Sequence, residues 1–94
     1  MRHPSSAVRF EWDDGNVNKL AERNVRPDEV EAIWSNRPRP RYFRNKKAGS
    51  ATWMMVGQDP RSGRRLRVGI LWADEKDGVL RAIHAIELRR TGGR

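Results

Sequence analysis

The chain has 94 residues, with 20 Lys and Arg against 12 Asp and Glu and a formal net charge of +8. That length gives one small domain, residues 1–94, able to bury about 60–65% of its unfolded surface. With no cysteine, disulfide scaffolds, thiolate zinc sites and Cys nucleophiles are excluded. No apolar run approaches the roughly 18 residues of a membrane span, and the first residues lack the apolar stretch of a signal peptide, so a cytoplasmic protein is expected.

Residues 1–8 read as a flexible arm. Phe10-Glu11-Trp12 alternates and suits a short strand or extended entry. Asp13 or Asp14 is a good helix N-cap, and Val17, Leu20 and Ala21 recur at helical spacing, so residues 15–23 are expected to be helical. Asn24 suits a left-handed stop. Pro27 opens a second helix with Asp28 and Glu29 in its first turn and Val30, Ile33 and Trp34 as its apolar stripe. Asn36 and Pro38 end it.

The Pro-interrupted run 37–41 cannot be helical. Residues 41–44 suit an edge strand, 45–50 a basic loop and 52–56 a strand. Asp-Pro and Ser-Gly within 58–63 are turn signals and predict a hairpin. In the strand that follows, Leu66, Val68, Ile70 and Trp72 share one face, and Arg65, Arg67, Gly69 and Leu71 share the other. Residues 73–78 form a turn. The last strand, 79–88, is expected to place Leu80, Ala82, His84, Ile86 and Leu88 on one face, and residues 89–94 are expected to fray. The predicted fold is α+β: two N-terminal helices packed on an antiparallel sheet of three to four strands, one sheet face free to carry charge. All four Trp, at 12, 34, 53 and 72, fall on the expected core faces, Trp53 with the weakest pattern.

Charge is concentrated in the middle of the chain. Residues 37–67 hold ten Lys or Arg and one acidic residue, Asp59, for a local charge of +9. A field this focused favours a polyanion, most commonly nucleic acid. Arg39, Arg41, Arg44, Lys46, Lys47 and Arg64 are the candidate phosphate contacts.

Phe10-Glu11-Trp12-Asp13 leading into Asn18-Lys19-Leu20, then Val25 and an acidic helix, resembles the opening of the BrnT toxin family of type II toxin–antitoxin systems. The resemblance runs on through Trp53-Met54-Met55-Val56-Gly57, the Gly63-Arg64 hairpin tip and Arg81-Ala82-Ile83-His84-Ala85, and covers roughly residues 9–88. It implies a RelE-like fold and a metal-independent endoribonuclease that inhibits translation, without a cofactor. It also implies a cognate antitoxin, typically a ribbon-helix-helix protein, in a homodimer or toxin–antitoxin heterotetramer. The chain departs from the family pattern at Arg23-Asn24, where His-Gly is usual, at Ala51-Thr52, where an acidic residue and Arg are usual, and at Ile86, where Arg is usual.

Metal-free RNA cleavage needs a base for the attacking 2′-hydroxyl, an acid for the leaving oxygen and cations around the phosphorus. Arg65 and Arg67, in register on one strand face, are the candidate cations, since Arg can grip two phosphate oxygens at once. His84 has an ordinary pKa near ~6.5 that suits proton transfer, although its predicted neighbours are apolar. Tyr42, inside the basic run, could stack on a base or move a proton, or simply pack at an edge. Two other readings compete with the ribonuclease. One is a non-catalytic module holding RNA or a partner through residues 37–67. The other is a basic surface that mainly receives an acidic antitoxin segment.

Overall fold

The computed structural model describes residues 2–45 and 51–88. In chain order its elements are β1 (Arg9–Glu11), α1 (Asp14–Ala21), α2 (Pro27–Ser35), β2 (Arg41–Arg44), β3 (Trp53–Gln58), β4 (Arg65–Asp74) and β5 (Val79–Leu88). Together they make an α+β fold of two helices and one five-stranded mixed sheet with strand order β1-β5-β4-β3-β2.

The helices start and stop where local chemistry dictates. Asp13 caps α1: its carboxylate accepts from the Asn16 backbone N–H at 3.1 Å, and the Asn16 side chain accepts from the Asp13 N–H at 2.8 Å. Both donors would otherwise be unpaired at a helix start. Asn24, at φ 60°, turns the chain out of α1. Pro27 opens α2, and the Glu29 carboxylate accepts from the Arg26 N–H at 3.1 Å. Leu20, Val25, Val30 and Ile33 then meet Met55, Leu66, Val68, Ile70, Leu80, Ala82 and Ala85 of the sheet in one core. Helix α2 sits close on β3: a Cβ at Gly57 would lie 2.5 Å from Ile33 Cγ2, so only glycine fits there.

The sheet departs from expectation in two ways. First, it has five strands, because β1 pairs in parallel with β5, Arg9 opposite Val79 through Glu11 opposite Arg81. The other pairings are antiparallel. Nothing in a three-residue run states which distant strand it will join. Second, β5 does not keep one face. Its register on β4 runs from Arg65↔Leu88 to Gly69↔His84 and then jumps to Ile70↔Ala82, leaving Ile83 as an extra residue. Such a bulge shifts the two-residue alternation by one and turns every later side chain over. Leu80 and Ala82 therefore face the helices, and past the bulge Ala85 takes the inner position, all three fully buried. His84, Ile86 and Leu88 pass to the opposite face, beside Gly69, Arg67 and Arg65.

The N-terminal residues expected to form an arm make defined contacts. The Arg2 N–H donates to Glu75 at 2.6 Å, and the Trp72 indole N–H donates to the Arg2 carbonyl at 3.0 Å. The His3 ring meets Tyr42 and Trp53 edge-on, with centroids 5.2 and 5.1 Å apart. Trp53 is the most buried tryptophan, while Trp12, Trp34 and Trp72 are half-buried against the core. No helix among the described residues is long and apolar enough to cross a membrane. Lys46, Lys47 and residues 89–94 lie outside the described residues.

Candidate functional site

The sheet face away from the core is built in rows that the register sets directly. Arg41, Val56, Arg67 and Ile86 form one row across β2, β3, β4 and β5. Phe43, Met54, Gly69 and His84 form the next. Gln58, Arg65 and Leu88 lie on the far side of the Arg67 row. Arg41, Arg65 and Arg67 are exposed, and so is Phe43, at 47%. The Arg41 guanidinium lies over the Phe43 ring, 5.6 Å from its centroid.

His84 is the centre of this face. Its ring fills the space a side chain at Gly69 would need: a Cβ there would lie 2.3 Å from Nε2 and 2.4 Å from Cε1. Two separate features therefore place the imidazole. The bulge at Ile83 turns it outward, and the missing side chain at Gly69 gives it a seat. Arg67 is its diagonal neighbour across the β4–β5 pair, a relation that puts side chains about 7–8 Å apart. Partial burial, then the positive charges of Arg67 and Lys19, hold the imidazole below its ordinary value of 6.5. It is therefore mostly neutral at pH 7 and able to take a proton.

The basic residues singled out in the sequence divide between two faces. Arg41, Arg65 and Arg67 share the open face with His84. Arg44 is on the helix side of β2, paired opposite Trp53 and lying over its ring at 5.1 Å. Arg39 lines a separate cleft with Ser5, Trp34 and Arg37. Tyr42 is also on the helix side, opposite Met55, so the sheet stands between it and Arg67. Burial pushes its hydroxyl up to about 12, against the opposing pull of the Arg39 charge, which leaves it protonated and unable to act as a base at neutral pH.

Arg64 is a structural residue and not a free phosphate contact. It bridges Glu29 on α2 at 2.8 Å and Glu87 on β5 at 3.2 Å, and donates to the Asn24 carbonyl at 3.0 Å. Arg81 is likewise committed, to Asp13 at 2.7 Å and Glu11 at 3.0 Å. Among the described residues, no three His, Cys, Asp or Glu side chains are grouped as metal ligands would be.

Sequence reading gives no functional role to three residues of this face: Phe43, Lys19 and Gly69, the last placed on it only by alternation. The signal for Gly69 was present, because a lone glycine inside a strand marks a bulge or a close approach. The signal for Phe43 was its alternation with Tyr42 in a strand flanked by arginines. Lys19 had none, since only the tertiary fold brings α1 beside β5. No protein-family model, no curated protein and no solved structure matches the chain.

Proposed function

We propose that this protein is a BrnT-like toxin of RelE-like fold, a metal-independent endoribonuclease that inhibits translation and is restrained by a cognate antitoxin, typically of the ribbon-helix-helix type. The single observation that supports it most is a neutral-leaning imidazole seated beside Arg67 on an open, cationic sheet face. An RNA strand crosses this face. Arg67 and Arg65 grip the non-bridging oxygens of one phosphate, and charge-assisted contacts of this kind strengthen as the phosphorus becomes more crowded. Neutral His84 takes the proton of the adjacent 2′-hydroxyl. The 2′-oxygen bonds to phosphorus, the bond to the 5′-oxygen breaks, and that oxygen takes a proton from water. The products are a 2′,3′-cyclic phosphate and a 5′-hydroxyl end. Exposed Phe43 offers a stacking surface for a base on the same face.

Induced expression of the wild-type chain should arrest growth. The double substitution Arg65→Ala, Arg67→Ala should relieve the arrest while the circular dichroism spectrum stays that of the wild type. A harmless wild-type chain that cuts no RNA would end the enzyme reading.

One observation favours a second reading, a non-catalytic RNA- or partner-binding module on the same scaffold. Ile86 occupies the position directly opposite Arg67, where the family resemblance leads one to expect Arg, so the face carries one cation fewer at its centre. A binding module would hold RNA with a salt-dependent affinity and leave it intact.

A further inference from the structure

A groove of about 410 Å³ opens beside His84, between α1 and the open sheet face. Leu71 of β4 and Ile83 of β5 line it from the sheet, Gly15, Asn16 and Lys19 from α1, and His84 and Arg81 complete it. It is the β5 bulge that supplies Ile83. Leu71 lies two residues beyond Gly69, about 7 Å along β4. The volume falls within the range of small-ligand sites.

The chemistry of the lining narrows the ligand. Two half-buried aliphatic side chains make a surface that suits a flat, uncharged ring and offers nothing to a phosphate. Cations stand at the edge. Lys19 has only a 3.8 Å ion pair with Glu22, both side chains more than half exposed, so its ammonium can turn to another anion. The Arg81 guanidinium is already held by Asp13 and Glu11, which also ties up the nearby carboxylates that would repel a phosphate. An apolar bed with a cationic rim, next to a proton-accepting imidazole, matches one nucleotide: base in the groove, phosphate at the rim.

We propose that this groove is a base subsite. It takes the nucleobase of the nucleotide flanking the phosphate held at Arg67 and His84, with Lys19 on the neighbouring phosphate. The proposal rests on the reading above in that single-stranded RNA crosses the open face, but it does not need the RNA to be cut. It makes Leu71 and Ile83 specificity-determining residues, separate from the stacking surface at Phe43 across the sheet.

The test is the affinity of the full chain for a fluorescent 2′-O-methyl oligoribonucleotide, which has no hydroxyl to attack. A single abasic residue is moved along the strand. At two positions, one for the groove and one for Phe43, the wild-type chain should lose about tenfold in affinity, the scale of a lost base contact. Leu71→Ser, and separately Ile83→Ala, should remove the groove's penalty alone, while Phe43→Ala should remove only the other. Two penalised positions on the wild-type chain, only one of them lost in Phe43→Ala, decide even if a groove variant does not fold. Equal affinity at all abasic positions overturns the proposal, as does a single penalised position that Phe43→Ala removes, or a second penalty that both folded groove variants retain. A chain that binds no such strand overturns both this proposal and the ribonuclease reading. RNA that is bound with the base penalty but never cut ends the ribonuclease reading alone.

Discussion

The His84 ring occupies the space that any side chain larger than hydrogen would need at residue 69. Gly69→Ala should therefore push the imidazole away from its seat and lower the cleavage rate with little change in RNA affinity. Burial and the charges of Arg67 and Lys19 all favour the neutral ring. A base acts when deprotonated, so kcat/KM should rise with pH, with its midpoint below 6.5, and be level by neutrality. Arg67→Ala removes one of the charges that favour the neutral ring. The midpoint should then move upward, toward the ordinary histidine value, in addition to any loss of rate. Kinetics across pH 4.5–8 on both chains would check the direction. The arginines teach the same lesson about neighbours. Arg64 and Arg65 are adjacent in sequence, yet one is clamped between two glutamates and the other is exposed on the open face. Alternation told the two faces apart, but only tertiary contact shows that Arg64 already has partners.

At the scale of elements, the arrangement depends on ties between the helices and the sheet. Glu29 is only 4% exposed, and Arg64 is the cation that neutralises it. Arg64→Ala would leave a buried carboxylate unpaired, and should destabilise the fold by about 3 kcal/mol, measured by urea unfolding. Arg81 joins β5 to the chain between β1 and α1. Its hydrogen bond holds the Asp13 carboxyl down to about 2, against 3.8 for an ordinary aspartate, helped by the Asn16 backbone N–H. Because the folded value is depressed, this contribution is fully present above about pH 4 and is lost as pH falls toward about 2. In Arg81→Ala that acid-dependent part should shrink, so the unfolding midpoint should change less between pH 5 and pH 2.5 than in the wild type. Much of this layer was legible in the sequence. The Asp13 cap, the Asn24 stop, the Pro27 start and the span of β5 follow from local chemistry. The parity of β5 did not, because an alternating pattern cannot show that Ile83 is an inserted residue. That one residue moves His84 from an expected apolar setting to the charged face. The parallel pairing of β1 was equally hidden, since it joins residues about seventy positions apart.

Taken as a whole, the molecule has two unlike sides. One carries the core, which Leu20 of α1 and Val30 and Ile33 of α2 enter. The other presents Arg41, Arg65, Arg67, His84 and Phe43 on an open sheet face, with Lys19 of α1 beside His84 at its edge. The basic block seen in the sequence contributes to both, so fewer of its cations serve one surface than the count in residues 37–67 suggests. Binding of single-stranded RNA should weaken with salt, with a log–log slope of about 0.7 per phosphate contacted. Replacing Arg41, Arg65 and Arg67 together by Gln removes contacts to two phosphates, one of them shared by Arg65 and Arg67, and should lower that slope by about 1.4, while replacing Arg39 and Arg44 should change it less. Phe43→Ala should cost about 1–3 kcal/mol of affinity with the slope unchanged, because stacking is not ionic. The most direct measurement of the central claim is cleavage of a 5′-labelled RNA in excess EDTA by the wild-type chain and by His84→Ala. The wild type should cut and leave 5′-hydroxyl ends, and His84→Ala should bind equally well but cut at least about 100-fold more slowly. Equal rates for the two chains would contradict the account.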